Sequence, residues 1–138
     1  MMKDVWITLT GYQTVDEDTE QIKLEIGGRY GYKDGKSLIV YHESAPDEEG
    51  KTLIKIEPEG KLVLDRSGST ENRMTIEKGK RHCGLYRTQQ GELFLGVYGV
   101  GCESNLGESG GQAVFEYELD VEGGVISKNR LEIKVKEV

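Results

Sequence analysis

Arg66 is the residue of this sequence whose type and position most clearly suggest chemistry. It follows Leu62 and Leu64 at every second residue, so on a β-strand the three side chains share one face. A charge on an apolar face needs polar partners, because its burial costs several kcal/mol without them. Arg66 is therefore either part of a structural ion pair, with its head group at the end of the fold, or a clamp that binds a ligand carboxylate or phosphate through two hydrogen bonds.

Tyrosine supplies the second chemical group. The chain has seven tyrosines and two phenylalanines, and a tyrosine hydroxyl needs a hydrogen-bond partner when it is buried. If several tyrosines face the interior, their hydroxyls would line a polar pocket, whereas the alternative places them at the ends or on the outer face. The candidate ligand-binding residues are Arg66, Tyr30, Tyr86, Thr88, Tyr41 and Tyr117, and the first four form the polar set of the predicted pocket.

Two pairs of neighbours, His42 with Glu43 and His82 with Cys83, contain residue types used in acid–base and nucleophilic catalysis. Neighbours on a strand point to opposite faces, so neither pair can act as a unit. Two histidines without a third ligand at a suitable spacing also make a poor metal site. We predict no catalytic residue, no metal and no cofactor, and a hydrolase using His42 or His82 is the weakest hypothesis.

The elements that position these residues are β-strands. Runs of alternating apolar and polar residues are separated by short turns, and glycine allows the positive φ that two-residue hairpin turns require. The turn dipeptides are Asp34-Gly35, Glu59-Gly60, Gln90-Gly91 and Gly123-Gly124. Ten strands are predicted, over residues 4–12, 20–32, 37–44, 52–58, 61–67, 72–77, 81–89, 92–101, 112–122 and 125–136.

Most of these strands have one apolar and one charged face, which is typical of an antiparallel sheet with one dry side. A long up-and-down sheet exposes two edges unless it closes on itself. We therefore predict an all-β fold: a single antiparallel meander barrel of eight to ten strands that spans residues 1–138 as one domain. A two-sheet β-sandwich is the alternative, because alternation does not distinguish the two.

Several short motifs together resemble the YwiB-like family of small bacterial proteins, a domain of unknown function. They are Gly31-Tyr32, Tyr41-His42-Glu43, Arg66-Ser67-Gly68, Met74, Gly79, Tyr86-Arg87-Thr88 followed by Gly91, and Tyr117-Glu118-Leu119. The resemblance implies a calycin-like β-barrel, related in shape to lipocalins and fatty-acid-binding proteins, and no established activity or ligand. The lipocalin Gly-x-Trp motif is absent, since Asp4-Val5-Trp6 stands in its place.

Calycin-like barrels often pack a tryptophan of the first strand against a basic residue of the last. The resemblance therefore implies a contact between Trp6 and Arg130 that closes the barrel. The alternative is an exposed Trp6 at a partner surface.

Charge and cysteine content restrict the partners and the compartment. The net charge of −7 repels nucleic-acid phosphates and anionic membranes, and no apolar run approaches the ~20 residues of a membrane-spanning helix. We expect no signal segment and two free thiols, Cys83 and Cys102, in a reducing cytoplasm.

The leading functional hypothesis is a non-catalytic barrel that binds a small amphipathic or anionic ligand in its lumen, with Arg66 at the charged end. A second hypothesis is a protein-interaction or self-assembly module with a packed interior, for example a homodimer. Ile39 and Val63 suggest it, because their apolar neighbours place hydrophobic groups on both faces of a strand.

Overall fold

The computed structural model describes residues 2–45, 48–68, 71–88 and 91–138, without the side chains of residues 44, 45, 48, 49 and 88. These residues form ten strands joined by short connections. They are β1 (Lys3–Val15), β2 (Asp18–Lys33), β3 (Lys36–Ala45), β4 (Glu48–Ile56), β5 (Leu62–Gly68), β6 (Asn72–Ile76), β7 (Arg81–Thr88), β8 (Gly91–Ser104), β9 (Gly110–Val121) and β10 (Gly124–Glu137).

Each strand pairs antiparallel with the next, and β1 pairs with β10 to close a barrel. The closing ladder runs from Val5 opposite Glu137 to Thr14 opposite Lys128. Closure leaves one interior surface, which the alternation of each strand fills with its apolar side chains. The predicted antiparallel meander barrel of eight to ten strands is confirmed, and the two-sheet sandwich is wrong.

Two of the predicted turns show how closely glycine marks a hairpin. Asp34 and Gly35 have φ values of 54° and 80°, as a two-residue turn of the primed type requires. At the last hairpin the turn residues are Glu122 and Gly123, with φ values of 52° and 89°. Gly124 belongs to β10 and lies opposite Val121, so the prediction there was one residue too late.

The other two predicted turns have different outcomes. Glu59 and Gly60 lie in a longer connection, in which the Gly60 N–H donates to the Glu57 carbonyl at 3.0 Å. Gln90 lies outside the described residues. The fourth strand begins at Glu48 rather than at residue 52, so much of the predicted polar connection at 45–51 is strand.

One end of the barrel interior is closed. Inward-facing side chains there are fully buried, among them Val5, Tyr30, Ile39, Ile54, Leu62, Phe115 and Ile133. The connection between β8 and β9 folds over this end, where Leu106 is buried and the Gly107 carbonyl accepts a 2.7 Å hydrogen bond from the Tyr30 hydroxyl. We call this the closed end.

The opposite end is open to solvent. It lies on the side of the β1–β2 and β9–β10 turns, where leucines that continue the inward-facing rows are only half-buried. These residues are Leu9, Leu24, Leu64, Leu119 and Leu131. Because they face the axis and still contact solvent, the barrel has an accessible apolar wall at this end, which we call the open end.

The predicted contact between Trp6 and Arg130 is wrong, although the terminal strands do pair. The register places Trp6 opposite Lys136 and Arg130 opposite Tyr12. Arg130 instead binds Glu116 at 3.3 Å and Glu132 at 3.1 Å. Trp6 is 56% exposed, which agrees with the exposure in the alternative; a partner surface at Trp6 stays a prediction.

Candidate ligand site at the open end of the barrel

A row of directly paired residues crosses five neighbouring strands near the open end. Tyr41 on β3 lies opposite Thr52 on β4, and Thr52 lies opposite Arg66 on β5. Arg66 lies opposite Asn72 on β6, and Asn72 lies opposite Tyr86 on β7. Residues directly opposite one another share a face of the sheet, and this face points inward because Thr52 and Tyr41 are buried. We call these five residues the polar row.

Tyr117 on β9 adds a further hydroxyl to the inward face, close enough to Tyr86 to interact with it electrostatically. Burial, and secondarily the neighbouring Tyr86, raise the pKa of Tyr117 to about 12. Within the described part of the chain, neither the Tyr86 nor the Tyr117 hydroxyl has a hydrogen-bond partner. Both hydroxyls are therefore protonated at neutral pH, and no described group accepts a hydrogen bond from them.

Arg66 is only partly neutralised by the described residues. Its Nη2 lies 3.3 Å from Oε2 of Glu43, and each of the two side chains is 33% exposed. Glu43 lies two residues beyond Tyr41 on the same face of β3. This is the only hydrogen bond of the Arg66 guanidinium among the described residues, so most of its five N–H donors are free for another acceptor.

Asn72 carries an unusual buried acceptor. Its Oδ1 atom is buried and has no hydrogen-bond partner in the described residues, whereas most buried polar atoms in proteins are paired. Asn72 lies between Arg66 and Tyr86 in the polar row. Asn72 therefore shares the inward face with Arg66 and Tyr86, and its oxygen is the unpaired acceptor of the polar row.

Burial controls the protonation of the tyrosines in this site. It raises the pKa of Tyr41, an effect that a hydrogen bond with Thr52 partly offsets. It also raises the pKa of Tyr86. Because a raised pKa keeps a hydroxyl protonated, the site presents a guanidinium and several O–H donors. Such a set is suited to a carboxylate or phosphate.

A sequence model of a family described as a domain of unknown function, DUF1934, matches residues 7–133. The chain belongs to this family. The resemblance to YwiB-like proteins is thereby confirmed. The crystal structure of the ywiB protein from Bacillus subtilis is similar to this DUF1934 barrel, with a TM-score of 0.80 and 21% identity over 96% of this chain and 92% of that chain. At this identity the likeness concerns the fold alone. No protein with a curated description matches the chain.

The DUF1934 barrel brings four of the six candidate residues to the open end, namely Arg66, Tyr41, Tyr86 and Tyr117. Tyr30 lies at the closed end, with its hydroxyl 3.3 Å from Ser37 Oγ and 2.7 Å from the Gly107 carbonyl. Burial raises its pKa. The Thr88 side chain lies outside the described residues. The predicted grouping of Tyr30 with Arg66 is therefore not what the structure shows.

Three site residues were missed from the sequence: Glu43, Thr52 and Asn72. Asn72 has the same two-residue spacing to Met74 and Ile76 as Arg66 has to its leucines, and this signal could have identified it. The partnership of Glu43 with Arg66 depends on the registers of two ladders, β3 with β4 and β4 with β5. No spacing within one strand reveals it.

The two histidines of the DUF1934 chain lie in different settings. His42 is exposed. His82 Nε2 lies 2.9 Å from Glu77 Oε1, and this contact, with smaller contributions from Lys80, lowers the pKa of Glu77. Cys83 is exposed, and no thiol or hydroxyl in the described residues hydrogen-bonds to either imidazole. The His82–Glu77 pair links β7 to the connection that follows β6, and so stabilises this hairpin.

The described residues contain no group of three or more His, Cys, Asp or Glu side chains placed to hold a metal ion. They also form no helix of the length and hydrophobicity needed to cross a membrane.

Proposed function

We propose that this DUF1934 protein binds a small amphipathic molecule with an anionic group in the open end of its barrel. The observation that carries the proposal is the polar row, whose partly neutralised arginine and unpaired asparagine oxygen share the inward face with the half-buried leucines of the open end. Arg66 holds the anionic group, and the hydroxyls of Tyr86 and Tyr117 donate to it. Asn72 accepts a hydrogen bond from a ligand donor.

The apolar part of the ligand contacts the half-buried leucines of the open end. Covering apolar surface contributes roughly 25 cal/mol per Å², so even a short hydrocarbon segment adds affinity. Ile22, which is 74% exposed, and Leu93, which is 46% exposed, continue the inward-facing rows of their strands toward the same end. They extend the apolar surface to the rim.

Glu43 sets the affinity for the anionic group. It occupies one donor of Arg66, and its negative charge opposes an incoming anion at short distance. Removing the charge of Glu43 therefore strengthens anion binding, while removing Arg66 weakens it. Two substitutions of one ion pair thus have opposite effects, which a general loss of structure could not produce.

The test uses dodecanoate, its neutral analogue dodecanol, and displacement of the fluorescent anion anilinonaphthalene sulfonate. We expect dodecanoate to bind more tightly than dodecanol. Arg66→Met removes this preference, with a loss of roughly tenfold or more for a charged hydrogen bond. Glu43→Gln strengthens dodecanoate binding severalfold. Arg29→Met is the matched control, because Arg29 is an exposed arginine on β2 whose 4.0 Å contact is with Asp4.

Unchanged dodecanoate binding in Arg66→Met would contradict the proposal. So would equal binding of dodecanoate and dodecanol by the natural chain. An equal effect of Arg66→Met and Arg29→Met would assign the preference to overall charge rather than to the site.

We also infer a non-catalytic role in the cytoplasm and a relation of the barrel to the calycins. Both cysteines are free thiols, which suits a reducing compartment. The described groups at the open end are guanidinium and hydroxyl donors, the Glu43 carboxylate and the buried Asn72 oxygen, without a described pair of nucleophile and base. Mass spectrometry of a probe incubated with the protein tests the non-catalytic role. We expect no covalent change in the probe.

A further inference from the structure

β2 has a long stretch with a partner strand on one side only. It pairs with β1 over residues 18–30. It pairs with β3 only over residues 29–33, opposite 36–40. On the β3 side, residues 18–28 therefore have no partner strand among the described residues. We call this stretch the free edge of β2.

A free edge exposes backbone donors and acceptors. In an antiparallel strand every second residue directs its N–H and C=O groups to a given side, so about half of the residues in the free edge lack a ladder partner for both groups. Such an edge is a ready template for another strand. The β2 edge is therefore a candidate for pairing between chains.

Two of the usual protections of an edge strand, proline and a β-bulge, are missing from this one. Residues 18–28 contain no proline, and the ladder with β1 runs through them without a bulge. Ile22 is 74% exposed. The charged residues Lys23 and Glu25 lie 3.2 Å apart on the outer face, and lysine on an edge normally opposes pairing. Whether these charges oppose or favour pairing depends on the register.

We propose that the free edge of β2 pairs antiparallel with the same edge of a second copy, about a two-fold axis at Leu24. In this register Lys23 lies opposite Glu25 of the second copy, and the symmetry makes this pair twice. Ile22 lies opposite Ile26 of the second copy, also twice. Opposite charges and apolar groups directly across a ladder both stabilise pairing, and a two-fold contact is self-complementary.

Neighbouring registers lack this complementarity. An axis at Lys23 places two lysines directly opposite each other, which is destabilising. An axis at Ile22 places Lys23 opposite Gln21 and Glu25 opposite Thr19, without a pair of opposite charges. The sequence of the edge therefore selects the axis at Leu24.

The experiment measures the oligomeric state of the full chain by sedimentation equilibrium, from low to high protein concentration. We expect a reversible monomer–dimer equilibrium. Lys23→Glu places a glutamate opposite Glu25 of the second copy, and the symmetry makes this like-charge pair twice. The dissociation constant of the dimer should therefore rise by about tenfold. Glu25→Lys should have a similar effect. The double variant Lys23→Glu/Glu25→Lys restores opposite charges across the axis and should restore the dimer.

Lys134→Glu is the matched control, because Lys134 is exposed on β10 and the substitution changes the net charge equally. It should leave the equilibrium unchanged. A natural chain that stays monomeric at all concentrations would overturn the proposal. A dimer that the single substitutions leave intact, or that the double variant fails to restore, would overturn it too. The substituted side chains, Lys23 and Glu25, lie on the outer face and are not among the residues proposed to contact dodecanoate, so loss of the dimer and loss of binding can be distinguished.

Discussion

Arg81 binds the carboxylate of Asp120 across Gly96, with Nε 2.9 Å from Oδ2 and Nη2 2.6 Å from Oδ1. The three residues lie on β7, β9 and β8, so the ion pair links two strands over the strand between them. The Gly123 N–H donates to the same carboxylate at 3.1 Å and ties in the β9–β10 turn. A Cβ at residue 96 would overlap both charged groups, so a larger residue there would push the guanidinium away from the carboxylate.

Gly96→Ala should lower the free energy of unfolding by about 1–3 kcal/mol, the usual cost of forcing an extra carbon into a packed site. Urea denaturation measures the change. Gly101→Ala is the control, because it lies on the same strand and no heavy atom lies within 4 Å of the added carbon. Equal costs at the two positions would show that the Arg81–Asp120 pair does not depend on residue 96.

The same ion pair should make stability depend on acidity. The hydrogen bonds from Arg81 hold the pKa of Asp120 below its ordinary value. A carboxylate with a lowered folded pKa stabilises the fold above its unfolded pKa of about 3.9, and the contribution is lost as pH falls through the folded pKa. Below pH about 4, the stability of the natural chain should therefore fall more steeply than that of Asp120→Asn. Urea midpoints over a pH series test this, and parallel curves would contradict it.

The raised pKa of Tyr117 should make the protein lose stability at alkaline pH. Its folded pKa of about 12, raised mainly by burial, lies above the ordinary tyrosine value. Such a group stabilises the fold below its unfolded pKa of about 10, and this contribution disappears as pH rises through the folded pKa. Between pH about 10 and about 12, Tyr117→Phe should lose less stability than the natural chain. The difference should reach up to about 3 kcal/mol.

Absorbance titration of the tyrosinates provides the independent check. The Tyr117→Phe variant should lack the component that ionises near pH 12. If that component persists, another tyrosine carries the raised pKa.

Alternation within each strand was enough to predict much of this fold. The inward face of Arg66 followed from its spacing to Leu62 and Leu64, because a strand fixes which residues share a side. The same rule placed Tyr30 with the apolar set of its strand, and Tyr30 is buried. Strand ends were less certain, since Glu122 adopts a positive φ that the sequence would assign to glycine.

Position along the barrel axis could not be predicted in the same way, because it depends on the registers of successive ladders. Tyr30 and Arg66 share the interior but lie toward opposite ends. The predicted contact between Trp6 and Arg130 was wrong for the same reason, because the β1–β10 register places Lys136 opposite Trp6. Patterns within single strands therefore predict which residues face the interior, but they do not predict which of those residues lie next to one another.

Substitution of Asn72 tests whether its side chain serves ligand binding or the stability of the fold. Its buried Oδ1 has no partner in the described residues, and an unpaired buried polar atom costs about 1–3 kcal/mol. Asn72→Leu removes this atom with little change of volume. Without ligand, the variant should be as stable as the natural chain or more stable by up to that amount. Its binding of dodecanoate or of a ligand recovered with the protein should be no tighter, and weaker for any ligand with a hydrogen-bond donor.

Asn129→Leu is the matched control at the same end of the barrel. The Asn129 Nδ2 donates to Ser127 Oγ at 2.9 Å, so this substitution breaks an existing hydrogen bond and should lower the free energy of unfolding by about 1 kcal/mol. The two asparagine substitutions should thus move stability in opposite directions under urea. If Asn72→Leu destabilises the protein as much as Asn129→Leu does, then Asn72 is satisfied by the fold itself. Its oxygen would then not be reserved for a ligand.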